Sequence, residues 1–133
     1  MTRIESKTVD LKSTPAEVFS FVEDLSNLKE LLPQDKISEW KGSPDHCSFK
    51  VAGAYTIGLK KKEVSAPNRI VLEADENSPI RFDLDIAIAE TESGSTAGMV
   101  SNLDVNPFMK MMVEKPLRNL FDYIADKMNE RFG

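Results

Sequence analysis

The sequence predicts an α+β fold: a curved antiparallel sheet of about seven strands, in β-α-α-β6-α order, gripping a long C-terminal helix. Three observations carry this. Between Lys36 and Val105 apolar residues recur with period two in short runs separated by turn residues, the pattern of hairpin-linked strands with one buried face. Ser13-Thr14-Pro15-Ala16-Glu17 has the signature of a helix start. From Leu117 the period becomes helical. Leu117, Leu120, Phe121, Ile124, Ala125, Met128 and Phe132 form one stripe, with Asn119, Asp122, Asp126, Asn129 and Glu130 opposite.

Residues 2–12 read as a first strand at the sheet edge. Val9 and Leu11 share one set of alternating positions and Ile4 falls on the other, which calls for a bulge or a frayed start. Thr14 then caps a helix running to about Asp24, with Pro15 at its first position and Val18, Phe19, Val22 and Leu25 on the buried side. A second short helix, capped by Asp24 or Ser26, carries Leu28, Leu31 and Leu32 and stops at Pro33.

Strands follow at 36–43 with Ile37 and Trp40, at Cys47 to Val51, and from Tyr55 through Ile57 and Leu59 to Val64. Ala66-Pro67-Asn68 is turn chemistry, with Pro67 suited to the first central position. Ile70, Leu72 and Ala74 share a face of the next strand, and Asn77-Ser78-Pro79 turns it. Arg81 to Ala89 is the clearest strand, with Phe82, Leu84, Ile86 and Ile88 inward and Asp83 and Asp85 on the wet face. Ser93-Gly94-Ser95 leads to a last strand bearing Met99, Ser101, Leu103 and Val105, and Asn106-Pro107 opens the final helix. No repeat or linker interrupts the chain, so residues 1–133 are expected to form one domain.

Composition narrows the function classes. At 41% hydrophobic and 29% charged, the chain resembles ordinary globular proteins. Its 17 basic and 22 acidic residues give a net charge of −5, which argues against a nucleic-acid footprint and against general attraction to anionic membranes. No apolar run reaches the ~20 residues of a membrane span. The first ten residues lack the apolar centre of a signal peptide, and a single cysteine excludes an internal disulfide, so a cytoplasmic location is expected.

Catalytic chemistry is sparse. His46 stands beside Pro44-Asp45 and reads as a solvated turn residue, and Cys47 reads as a small core thiol. One His and one Cys cannot build a zinc site, and no glycine-rich phosphate loop is present, so neither a metal nor a cofactor is expected. Tyr55, Lys61 and Ser101 share strand faces with apolar residues. Each is an inward polar candidate; Tyr55 and Ser101 are to be satisfied by a backbone group or by a ligand, and the alternative for Lys61 is a place past the sheet's edge with its stem packed and its amine wet.

The start of the last helix is in a different register from its end. Phe108, Met109, Met111, Met112 and Val113 do not continue the later stripe, and Pro116, which removes a backbone hydrogen bond, sits between the two parts. The later part is expected to pack the core. The earlier part, bent at Pro116, is expected to border a pocket mouth or a partner, and its methionines are adaptable apolar surface.

With these elements in place, the chain resembles the START-like, or helix-grip, superfamily (the SRPBCC group of birch-pollen allergens, lipid-transfer START domains and polyketide cyclases). The resemblance spans the whole length and rests on STPAEVFSFVEDLSNLKELLP, the six-strand middle and PLRNLFDYIADKMNERF. It implies a cavity between sheet and C-terminal helix that takes a hydrophobic or amphipathic small molecule. The wall expected here is Tyr55, Ile57, Leu59, Ile86, Met99, Ser101, Met109, Met112, Leu117 and Leu120. A cyclase- or dehydratase-like enzyme, for which Tyr55 is the best acid–base group, is one alternative. A protein-interaction domain, co-chaperone-like or homodimerising, using Phe108 and Met111 is the other.

Overall fold

The computed structural model describes residues 2–51, 55–76, 78 and 80–133, without the side chain of Tyr55. Its elements are β1 (Thr2–Glu5), β2 (Val9–Leu11), α1 (Pro15–Glu23), a 3-10 helix (Leu25–Leu31), β3 (Ile37–Gly42), β4 (His46–Val51), β5 (Tyr55–Ser65), β6 (Arg69–Ala74), β7 (Arg81–Thr91), β8 (Gly94–Asp104) and α2 (Pro107–Phe132). The strands form one open antiparallel sheet in the order β1-β8-β7-β6-β5-β4-β3, and β2 also pairs with β8. The architecture is the α+β arrangement expected, with eight strands instead of about seven.

The additional strand comes from the first segment, which is broken in the middle. Glu5 pairs with Val100 and Val9 with Ala97, so three residues of the first segment face two of β8. Ser6 holds the break by donating its N–H to the Met99 carbonyl and accepting the Met99 N–H at its hydroxyl, each at 2.9 Å. One extra residue flips the side-chain parity. Ile4, Val9 and Leu11 therefore all reach the core, although they are out of phase in the sequence.

The helix starts follow local chemistry. Thr14 accepts the Glu17 N–H at 3.3 Å and its hydroxyl meets the Glu17 carboxylate at 3.1 Å, a capping box. Asp24 caps the 3-10 helix through the Ser26 N–H and hydroxyl, and these bonds hold its carboxyl below the usual range. Asn106 caps α2 by accepting the Met109 N–H at 2.8 Å. The Ser65–Asn68 turn differs from expectation: Pro67 occupies its second central position after a cis bond, with the Asn68 N–H donating to the Ser65 carbonyl at 2.9 Å.

The concave face of the sheet and the inner side of α2 enclose one core. Leu117, Leu120, Phe121, Ile124, Ala125 and Met128 are all buried. Each large side chain in that stripe contributes about 1.5–3 kcal/mol of transfer free energy. The C-terminal end is fastened as well. Phe132 gives its carbonyl to the Lys12 and Ser13 N–H groups at 2.8 and 3.2 Å, and its ring meets Phe21 edge-on at 5.5 Å. Among the described residues, no backbone hydrogen bond ties the N-terminal end of α2 to another element, and the site lies there.

Candidate functional site

A cavity of about 90 Å³ lies between the sheet and the first half of α2. Its wall is Val51 at the end of β4, Ile57 on β5, Ile80 before β7, and Met109, Met112, Val113, Pro116, Leu117 and Leu120 on α2. Every one of these side chains is apolar. At roughly 10–15 Å³ per water, the space equals several waters, yet the described wall offers them no side-chain hydrogen-bonding partner. Such a space holds an apolar group more readily than it holds solvent.

The sequence places the cavity at this end for a physical reason. Val51 ends β4 and Ile80 precedes β7, and both line the same cavity as the first half of α2, which starts at Pro107. α2 runs unbroken from Pro107 to Phe132, through Pro116, whose ring forms part of the wall. Val113 is buried and Met109 half-buried, and both join the later stripe, contrary to the register expected for them: Met109, Val113, Leu117 and Leu120 follow one another at spacings of four, four and three. The outward residues are Phe108 and Met111, with Met112 divided between wall and solvent.

Ile57, Met109, Met112, Leu117 and Leu120 of the expected wall are brought together here. Leu59 lies deeper, beside a gap of about 20 Å³ under Phe49, Phe82 and Phe121. Ile86 and Met99 border a gap of about 10 Å³ beneath the 3-10 helix and Ile124. These two gaps are about the size of one water each, so the middle of the groove is filled by side chains. Ser101 is fully buried within the sheet and donates its hydroxyl to the Asp83 carbonyl at 2.6 Å. Tyr55 begins β5, and its side chain lies outside the described residues. Lys61 reaches the Asp45 carboxylate at 3.2 Å.

Val51, Ile80, Val113 and Pro116 were not in the expected wall. Alternation along the sequence marks Val51 only as a strand residue. Ile80 carried no signal, because a single isoleucine between a turn and a strand says nothing about what it faces.

A second cluster lies on the outer face of the sheet. His46 is the first residue of β4 and not a free turn residue: its Nε2 meets the Asp75 carboxylate at 2.5 Å. Asp75 is buried over Gly58, where a side chain would collide with its carboxyl oxygens. Gly58 also donates its N–H to the Ser78 hydroxyl at 2.8 Å and accepts the Asp75 N–H at 2.9 Å. The missing side chain on β5 is what lets an acid from the end of β6 reach a histidine on β4.

Cys47, next to His46, faces the core and is fully buried. Burial, and then the Asp75 charge, push its thiol up to about 12. The thiolate is the reactive form, so Cys47 is expected to resist a disulfide reagent at pH 8 in the folded protein and to react fully in denaturant. Rapid stoichiometric labelling of the native chain would contradict this. The unfolded thiol ionises first as pH rises, so this group's contribution to stability is lost between pH 9 and about 12.

No family model and no curated protein matches the chain. Solved structures do. The protein XoxI from Bacillus cereus superposes with a TM-score of 0.79 at 11% identity, over 99% of this chain and 96% of its own. A solution structure from Thermobifida fusca gives 0.74 at 17% identity, covering 100% and 94%. A START superfamily protein from Mycobacterium smegmatis gives 0.68 at 14% identity, covering 98% and 96%. At such identities the likeness is one of fold.

Proposed function

We propose that this chain, a START-like fold with an open end between sheet and helix, is a binding module for a hydrophobic or amphipathic small molecule. One observation supports the reading above the others: the cavity wall is apolar at every described position and is built from both the sheet and α2. The fold is similar to that of a START superfamily protein, and the cavity that this resemblance implies between sheet and C-terminal helix has a counterpart in the gap found here. At about 90 Å³ the space is smaller than the roughly 150 Å³ of an apolar cavity that binds benzene, so as it stands it suits a short chain segment, and a ring or anything larger needs it to widen. Met109 and Met112 can re-rotate to enlarge it, because methionine is unbranched and has several rotatable bonds. The polar part of an amphipathic ligand would stay at the mouth, beside Met112 and Pro116.

The test is thermal unfolding with a series of medium-chain fatty acids and small aromatic molecules. A ligand present at a hundred times its Kd raises stability by about 2.7 kcal/mol, a shift of several degrees. If no member of the series moves the Tm, the binding reading fails.

A further inference from the structure

We propose that the outward face at the start of α2 docks on an anionic lipid surface, with Phe108 and Met111 entering the apolar layer and Lys115 and Arg118 meeting the headgroups. For its purpose the proposal rests on the binding reading above, since a membrane would supply or receive the apolar ligand. Phe108, Met111, Met112 and Lys115 stand at i, i+3, i+4 and i+7 and so share one helix face, which Arg118 extends by a further turn. On that face Phe108 is 71%, Met111 83% and Met112 47% exposed, three of the four large apolar side chains exposed among the described residues.

Charge selects the occupant. In a chain whose total charge is −5, the cations of this face are Lys115 and Arg118, with Glu114 at its flank, while Lys110 stands about 200° around the helix from Phe108. Glu114 is engaged by Arg118 at 3.4 Å, and the first turn of α2 contains no acid. Asp104 precedes the helix, and its strand partner in register is Arg81. An anionic surface therefore meets a basic, apolar patch here and an acidic protein elsewhere, which orients the molecule with this helix face down. A second copy fits less well, because a two-fold pairing of this face sets the same cations against each other. Met112 belongs both to this face and to the cavity wall, so the docked patch is continuous with the mouth.

The experiment is flotation of the full chain with vesicles of phosphatidylcholine alone and of phosphatidylcholine with about a third phosphatidylserine, at low and at half-molar salt. The expected result is partitioning to the anionic vesicles that high salt removes. Met111→Asp and Lys115→Glu should each weaken it about tenfold or more while leaving the Tm unchanged. Both variants keep the cavity wall, so both should keep the Tm shift given by a soluble apolar ligand. Three results would overturn the proposal: no partitioning, equal partitioning to neutral and anionic vesicles, or variants that bind like the unmodified chain. A concentration-dependent dimer in sedimentation that Met111→Asp dissociates would assign the face to a second copy and equally overturn it. If flotation holds but no soluble ligand moves the Tm, the cavity reading alone falls.

Discussion

Val113→Phe is expected to abolish the thermal shift produced by any apolar ligand while leaving the protein folded. Val113 is buried on the cavity side of α2, and the added ring points into an empty space of about 90 Å³. Filling a void restores dispersion contacts, so the substitution should cost less than about 1 kcal/mol and can stabilise. The ligand loses its place in the same step. At a ligand concentration that raises the Tm of the unmodified chain by several degrees, the variant should show no shift. An undiminished shift in Val113→Phe would place binding elsewhere in the molecule.

Gly58→Ala is expected to produce a large loss of stability from a single methyl group. A Cβ at that position collides with both carboxyl oxygens of Asp75. Asp75 cannot swing away without leaving His46, and its backbone is held by the Gly58 carbonyl. Overpacking combined with separation of a buried acid from its partner costs about 2–4 kcal/mol. In a chain of this length that lowers the Tm by roughly 6–15 °C, measurable by circular dichroism or calorimetry. A Tm within a degree or two of the unmodified chain would show that Asp75 relocates freely. Ser48→Ala, a neighbour on the same outer face, is the comparison expected to do little.

Much of the fold was legible because alternation and capping act over a few residues. The capping box at Thr14 and the strand at Phe82–Ile88 each follow from residue types within one turn or one strand. The first segment shows where this stops. Ile4 looked out of phase with Val9 and Leu11, and only pairing with β8 shows that a bulge at Ser6 brings all three inward. His46 shows the same limit for side chains. Its neighbours in sequence suggested a wet turn, whereas its partner, Asp75, lies 29 residues away and arrives through the register of two further strands.

The α+β order, the amphipathic C-terminal helix and the apolar character expected of its groove follow from residue types along the chain. Period, caps and turns are local, and they leave a helix with one broad apolar stripe that must be covered. Where the groove is open depends instead on packing between distant segments. Deep in it, Leu59, Ile86 and Met99 are met by α2, the 3-10 helix and neighbouring strands and leave gaps no larger than a water or so. Toward the start of α2, Val51, Ile80 and Pro116 converge from three separate stretches without filling the space between them. Whether a volume is filled depends on side chains brought together from distant parts of the chain, and no periodicity along one segment records it.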